Sequence, residues 1–309
     1  KTTPLQAKVM KLTKTRLIAY LALLGNTFVW GLALPIVKKG FDAGLTPNSF
    51  LIGRFFLATL FSFPIIIYLF LKDSKFKKQI HLKNILKIVP LEALGTFLAL
   101  FLLYQGLNRT SAIESSLIAI TWPILVILGG ILFFKEKEQK HELKGTILAL
   151  IGTLFLVGEP LVRNSGFTGT VTGNLLVLGQ NVCMAAYFLL AKKHYVGINK
   201  WLVTHISFWV GLISFGAIAL ISGQPFQLAT GFWPAAAIVY MGVFGSIIGL
   251  TLYLIGQDKI EASEASLFTY LQPIFSVPTA ILLLSESISL LNIFSIAIII
   301  FGVYIAEKR

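Results

Sequence analysis

Long apolar runs recur along the whole chain, and they restrict its fold more than any other feature. A helix needs about 20 mostly apolar residues to cross a bilayer, and these runs have that length. Only 13% of the residues are charged, against about 25% in soluble proteins. The sequence therefore predicts an all-α integral membrane protein with ten transmembrane helices and short connections. We place the spans at residues 16–37, 47–71, 85–106, 112–134, 144–161, 173–192, 201–222, 233–256, 262–284 and 289–306.

The distribution of lysine and arginine predicts how these spans are oriented. Cytoplasmic loops of membrane proteins carry an excess of both residues. With the N-terminus inside, the cytoplasmic segments hold 21 of the 26 basic residues and the outer segments hold 4, which leaves Arg54 within a span. We therefore expect residues 1–15 to be cytoplasmic and the C-terminus to lie on the same side. The same rule accounts for the net charge of +13, so we expect no nucleic-acid partner.

Two stretches of the chain repeat each other at an offset of 150 residues. Residues 110–123 align with residues 260–273, and this register brings Pro123 onto Pro273. Agreement of several uncommon residues at one register indicates an internal duplication. The same offset pairs Glu114 with Glu264, Thr96 with Ser246, Gly95 with Gly245, Gly106 with Gly256, Glu136 with Glu286 and Gly152 with Gly302.

The duplication predicts two homologous five-helix repeats, residues 16–161 and 173–306. In the first helix of each half the offset is 154, which pairs Asn26 with Gln180. Because five is an odd number, the second repeat must cross the membrane in the opposite orientation. Inverted repeats that rock about a midplane site are a common transporter design, although duplication alone would leave repeats in a structural protein too.

Several short motifs occur in a fixed order along the chain. They are Trp30-Gly31 with Lys38, Arg54, the Asn108-Arg-Thr-Ser-Ala112 turn, Pro123 with Glu136, Thr269-Tyr-Leu-Gln-Pro273 and Leu-Leu-Ser-Glu286. Their order and spacing resemble those of EamA-type, ten-helix members of the drug/metabolite transporter superfamily. The resemblance covers essentially the whole chain and implies an inner-membrane carrier of amino acids, nucleosides, metabolites or xenobiotics, often an exporter. One departure is Gln272, where many relatives carry glutamate.

The paired prolines are candidate hinges. Proline lacks the N–H that would bond the carbonyl four residues before it, so Pro123 frees the Ala119 carbonyl and Pro273 frees that of Thr269. Inside a bilayer such carbonyls need partners. Substrate or water in a cavity would serve, and so would hydroxyl groups on neighbouring helices.

Polar and aromatic residues gather near the middle of the predicted spans. Buried amides are costly when they face lipid, so we expect them to face the interior of the bundle. They would either bind substrate or join helices through hydrogen bonds worth about 0.6 kcal/mol each. The candidate substrate-binding residues are Asn26, Trp30, Glu92, Thr96, Trp122, Gln180, Tyr187, Ser246, Tyr270 and Gln272.

Ionisable residues within spans are candidates for coupling. Glu92, one turn before Thr96, would be a proton site or a counter-charge for a cationic substrate, unless it extends toward Lys87 at the interface. Arg54 would pair with Glu114 or meet an anionic group of the substrate. Glu114 also follows Ser111 at capping-box spacing.

These features predict a secondary transporter that works by alternating access. No Walker motif is present, so ATP is not the expected driver, and the single cysteine, Cys183, offers no metal cluster or other cofactor site. The expected partners are a small polar or amphipathic metabolite, most readily amino acid-like and exported, the lipid bilayer, and protons as the candidate coupling ion. An intramembrane enzyme is the alternative, without a zinc or nucleophile motif in its favour, and a passive channel is the third.

Overall fold

The computed structural model describes residues 14–119, 121–122, 124–126, 128–129, 140–163, 169–223, 226, 230–257, 259–260 and 268–306. These residues contain helices and no strand, which confirms the all-α prediction for the described part of the chain. The helices are α1 (Lys14–Asp42), α2 (Pro47–Lys72), α3 (Leu82–Leu107), α4 (Ala112–Ala119), α5 (Lys140–Arg163), α6 (Gly169–His194), α7 (Lys200–Ile221), α8 (Phe232–Gly256), α9 (Phe268–Leu284) and α10 (Leu290–Ala306), with one further turn at Ser74–Lys77.

Six of these helices, α1, α2, α3, α6, α7 and α8, are long and apolar enough to cross a membrane. The apolar parts of α4, α5, α9 and α10 are shorter. Many large apolar side chains point away from the bundle, and Leu220, Ile221 and Leu282 are at least 85% exposed. Apolar surface of this extent has no place in water, so the molecule is a multi-pass membrane protein.

Helices α3 and α8 each change to π-helical geometry in their middle. The π-helical segments run from Ala93 to Leu98 and from Tyr240 to Gly249. The sequence offset of 150 carries the first segment onto residues 243–248, which lie inside the second. Short π-helical segments occur frequently at functional sites because the wider turn alters the backbone hydrogen bonding.

The helices pack in a reciprocal pattern. Helix α1 lies against α8 and α9, while α6 lies against α3 and α4; α2 packs on α7, and α5 packs on α10. The buried core between α2, α3 and α7 is largely aromatic. It includes Phe50, Phe55, Tyr104, Phe208 and Phe215.

The start of α4 is capped from a distant part of the chain. The backbone N–H groups of Ala112 and Ile113 donate to the two carboxylate oxygens of Glu286, at 2.7 and 2.9 Å. The first N–H groups of a helix have no partner within the helix, and a carboxylate also complements the helix dipole. Glu286, between α9 and α10, therefore ties that connection to α4.

The helix around Pro273 differs from the sequence prediction. Instead of interrupting a continuous α-helix, Pro273 lies in the first turn of the α-helix Gln272–Leu284, directly after the 3-10 turn Phe268–Leu271. Proline is well tolerated there because a first-turn N–H has no helical partner anyway. The change of helix type thus coincides with the proline, whereas its counterpart Pro123 lies outside the described residues.

Candidate functional site

The carboxylate of Glu92 is enclosed by hydroxyl groups inside the bundle. Its side chain is 1% exposed. Oε1 accepts hydrogen bonds from the phenols of Tyr187 and Tyr195, both at 2.8 Å, and Oε2 accepts one from the Thr96 hydroxyl at 2.6 Å. The Thr96 and Ser207 hydroxyl oxygens are 2.6 Å apart. Donors from α3 and α6 and from Tyr195 just after α6 therefore converge on one acid, and Ser207 of α7 contacts it through Thr96.

This arrangement differs from the alternative in which Glu92 extends toward Lys87. Glu92 lies about 15 Å from the Leu82 end of α3, given a helical rise of about 1.5 Å per residue. Within the described residues no lysine or arginine lies within ion-pair distance of its carboxylate. Hydroxyl donors replace water around the acid, and a buried charge is tolerated only with such partners.

Local sequence explains how Tyr187 reaches this acid. Gly95 lies in the π-helical segment of α3, and a Cβ atom added there would approach the Tyr187 ring to 2.5 Å. The absent side chain therefore makes room for the ring. Next to it, the rings of Phe188 and Trp122 stack at a centroid distance of 4.5 Å. The predicted residues Glu92, Thr96, Tyr187 and Trp122 are thus brought together by α3, α6 and the residues that follow α4.

Two residues of this site, Tyr195 and Ser207, were not predicted from the sequence. Tyr195 follows the last residue of α6 and so lies beyond the apolar run, and Ser207 is an isolated hydroxyl within α7. Burial and the neighbouring Glu92 carboxylate raise the pKa of Tyr195. Its phenol therefore stays protonated and remains a donor at neutral pH.

Arg54 does not pair with Glu114, although both lie inside helices of the bundle. Its Nε donates to the Ser246 hydroxyl at 3.3 Å and its Nη1 donates to the Tyr104 phenol at 3.0 Å. Glu114 instead accepts hydrogen bonds from the Thr110 hydroxyl at 2.7 Å and the Asn174 amide at 2.9 Å. The two charges belong to separate polar clusters because α2 faces α8, whereas α4 faces α6.

The predicted cap at the start of α4 is confirmed in part. The Glu114 N–H donates to the Ser111 hydroxyl at 3.0 Å, as the spacing predicted. The Glu114 side chain, however, turns toward Thr110 and Asn174 rather than back to Ser111. Its repeat equivalent, Glu264, lies outside the described residues.

Asn26 and Trp30 both bind backbone carbonyls of α8. The Asn26 amide donates to the Gly249 carbonyl at 2.9 Å, and the Trp30 indole donates to the Gly245 carbonyl at 3.0 Å. Trp30 also stacks on Tyr253, with ring centroids 5.7 Å apart. Since Gly245 and Gly249 lie in the π-helical segment, both side chains serve as links between helices in this conformation.

The remaining predicted residues are distributed around this interior. Gln180 is 5% exposed, and its Oε1 has no hydrogen-bond partner among the described residues. The Gln272 carbonyl lies 2.9 Å from where a Cβ on Gly31 would stand, so α1 and α9 approach closely. Tyr270 lies in the 3-10 turn that opens α9 and is partly buried.

Comparisons with known proteins agree over almost the whole chain. The EamA-like transporter family matches it twice, over residues 17–158 and 171–307. Two proteins of Bacillus subtilis, the uncharacterized transporters YyaM and YcxC, are each 27% identical; they cover 84% and 92% of this chain and 83% and 91% of their own. An uncharacterized transporter of Archaeoglobus fulgidus is 25% identical over 95% of this chain and 87% of its own. A protein of known crystal structure, 18% identical, has a TM-score of 0.61 over 96% of both chains, which indicates a shared fold.

Proposed function

The chain belongs to the EamA-like transporter family, and from that premise we propose that it is a proton-linked secondary transporter working by alternating access. Its relatives are named transporters, so the chain is a membrane transporter and not an enzyme. The proposed cargo is a small polar or amphipathic metabolite, amino acid-like and exported. The proposed location is a bacterial-type inner membrane, with both termini cytoplasmic.

The first support for alternating access is the reciprocal packing of the helices. In two inverted repeats of five helices, α6 is the counterpart of α1, and α8 and α9 are the counterparts of α3 and α4. A twofold arrangement then requires α1 to contact α8 and α9 whenever α6 contacts α3 and α4. Both sets of contacts are present, and the self-paired contacts of α2 with α7 and of α5 with α10 fit the same scheme.

Individual hydrogen bonds obey the same offsets. The Asn181 amide donates to the Ile118 carbonyl at 2.7 Å, and the Thr27 hydroxyl donates to the Phe268 carbonyl at 3.1 Å. Adding 154 to residue 27 gives residue 181, and adding 150 to residue 118 gives residue 268. The two bonds are therefore equivalents that join the first helix of one half to the fourth helix of the other.

Glycine contacts between α5 and α10 follow the offset as well. A Cβ on Gly152 would meet Ile299 and the Ser295 carbonyl, and a Cβ on Gly302 would meet Ala149 and the Gly145 carbonyl. Residues 145 and 149 become residues 295 and 299 when 150 is added. Small residues at such interfaces allow helix backbones to approach closely.

The single observation that carries the proton-linked mechanism is the enclosure of Glu92. The carboxylate is held by three hydroxyl groups, beside a π-helical segment and far from either end of its helix. Intramembrane acids of this kind mark proton relays in transporters. Protonation would remove the charge and weaken the hydrogen bonds that Tyr187, Tyr195 and Thr96 donate, which links the charge of Glu92 to the contact between α3 and α6.

The test is transport by purified protein in liposomes. Wild-type protein is expected to show saturable counterflow of a substrate from an amino acid and metabolite panel, and uptake driven by a pH gradient. Glu92→Gln should retain counterflow and lose the response to the gradient. Asp42→Asn is the matched control, because that carboxylate is exposed and pairs with Lys38 on the same helix.

Three results would count against the proposal. A gradient response that survives in Glu92→Gln would remove Glu92 as the proton site. Loss of counterflow as well would make Glu92 a substrate contact. Flux through the wild-type protein without saturation would indicate a channel.

A further inference from the structure

Arg54 brings a second charge into the interior of the bundle, at a place separate from Glu92. It lies in α2 and is partly exposed. Its guanidinium carbon lies 5.2 Å from the centre of the Phe55 ring and 5.8 Å from that of Tyr104. Its two hydrogen bonds go to neutral hydroxyl groups, those of Ser246 and Tyr104. The aromatic faces and hydroxyls orient the cation, but they carry no opposing charge.

No carboxylate within the described residues lies at ion-pair distance from this guanidinium. An arginine within a membrane-spanning segment is costly unless it is paired or faces a polar path, and neutral hydroxyls offset only part of this cost. A guanidinium has five N–H donors, of which two are used by Ser246 and Tyr104. The remaining three are one N–H of Nη1 and both of Nη2, and a guanidinium can donate two parallel hydrogen bonds to a carboxylate.

The repeat relates this cation to the acid at the first site. Ser246 is the equivalent of Thr96 at the offset of 150, and both lie in π-helical segments. Thr96 donates to Glu92, whereas Ser246 accepts from Arg54. Equivalent hydroxyl groups of α3 and α8 therefore contact opposite charges.

The two charges are not neighbours. Tyr104, which binds Arg54, follows Glu92 by twelve residues on α3, a separation of about 18 Å along a helix. A small solute cannot span this distance. Arg54 therefore forms a separate site, located between Glu92 and the Leu107 end of α3.

We propose that Arg54 forms an anion-binding site on the transport path and that it binds the carboxylate of the transported solute. The inference rests on the proposed transport function and adds to it a chemical requirement, namely a carboxylate on the cargo. The preformed guanidinium, fixed by Ser246 and Tyr104, selects a planar oxyanion. Binding a carboxylate there would also neutralise the cation as the solute passes.

Ligand-dependent thermal unfolding of purified protein in neutral detergent tests this assignment. The probes are L-leucine and L-phenylalanine, the amines 3-methylbutylamine and phenethylamine, and the carboxylates 4-methylpentanoate and 3-phenylpropanoate. At least one carboxylate-bearing probe should stabilise wild-type protein. Arg54→Gln should weaken that binding about 10- to 100-fold, the loss expected for a charged hydrogen bond, while any binding of the amines should stay unchanged.

Two further variants separate charge from geometry and folding. Arg54→Lys keeps the positive charge but lacks the planar guanidinium that donates two parallel hydrogen bonds. Its affinity for the carboxylate should therefore lie between those of wild type and Arg54→Gln. Arg109→Gln removes an exposed arginine that donates to Gln105, and it should bind like wild type. If Arg54→Gln unfolds at the same temperature as wild type without ligand, a folding defect is excluded. If it unfolds at a lower temperature, Arg54→Lys is compared with wild type instead.

The proposal is overturned if wild-type protein binds no carboxylate-bearing probe or binds the amines equally well. It is also overturned if Arg54→Gln keeps the preference for carboxylates. Stabilisation by phosphatidylglycerol alone would assign the guanidinium to a lipid phosphate instead. Flux measurements in liposomes distinguish the two proposals. Carboxylate binding without flux would refute the proposed transport function. Flux without a preference for carboxylates would refute only the proposed anion-binding site at Arg54.

Discussion

Replacing Gly95 with alanine should disturb the Glu92 site through one defined contact. The added Cβ would stand 2.5 Å from the Tyr187 ring, well inside van der Waals distance. The ring can escape only by moving away from α3, and this would break its 2.8 Å hydrogen bond to Glu92. The substitution therefore tests whether the missing side chain of Gly95 is what allows Tyr187 to serve the acid.

The expected change in the free energy of unfolding follows from two costs and one gain. Overpacking costs about 1–3 kcal/mol, a lost hydrogen bond to a charged group costs about 1.5–3 kcal/mol, and alanine gains about 1 kcal/mol over glycine in a helix. Because a displaced ring loses the hydrogen bond but escapes the clash, only the cost of the bond counts, and subtracting the alanine gain leaves a net loss of unfolding free energy of about 0.5–2 kcal/mol. Reversible unfolding of the protein in mixed detergent measures it.

Two variants make this result decisive. Gly216→Ala in α7 is the matched control, since a Cβ there meets no atom within 4 Å, and it should leave stability unchanged or slightly raised. In a Tyr187→Ala background, where the ring is absent, Gly95→Ala should no longer destabilise. Equal stability of Gly95→Ala and wild type, or an undiminished loss in the Tyr187→Ala background, would refute the reasoning.

Two other substitutions probe the links between helices. Glu286→Ala should lower the unfolding free energy by about 0.5–2 kcal/mol, the usual value of a helix N-cap. Glu286→Gln should lower it less because one acceptor remains. An unchanged unfolding free energy for Glu286→Ala in the same detergent assay would contradict the role of Glu286 as a cap. Trp30→Phe should keep the stacking on Tyr253 but leave the Gly245 carbonyl without its donor, at a cost of about 1–3 kcal/mol. Full stability of Trp30→Phe would mean that water or a neighbouring group replaces the indole.

The acid site could be predicted from the sequence as far as its members on one helix. Glu92 is conspicuous because it interrupts an apolar run, and Thr96 follows it by four residues, which places both on one helical face. Tyr195 could not be predicted, since it lies beyond the end of the apolar run. Ser207 could not either, because an isolated serine in a helix carries no signal until tertiary packing brings α7 against α3.

The failed pairing of Arg54 with Glu114 has a related cause. Position along a span predicts depth, and depth was the basis for expecting the pair. Contact also requires the two side chains to face each other around the bundle, which hydropathy does not determine. The π-helical segments of α3 and α8 escaped prediction for a similar reason: one widened turn shifts the face of a helix without leaving a distinct apolar pattern.

The two hydrogen bonds from the start of α4 to Glu286 affect the relative free energies of conformations in which the end of α9 lies close to α4 or apart from it. Moving the end of α9 away from α4 would leave both N–H groups without these acceptors, so opening that side costs about what the cap contributes. The repeat offset carries Glu286 onto Glu136 and Ala112 onto Ala262, both outside the described residues. Under the proposed alternating access, the Glu286 cap therefore stabilises the conformation in which α9 and α4 are in contact. A substrate that favours the other conformation has to offset about 0.5–2 kcal/mol from this cap through its differential binding.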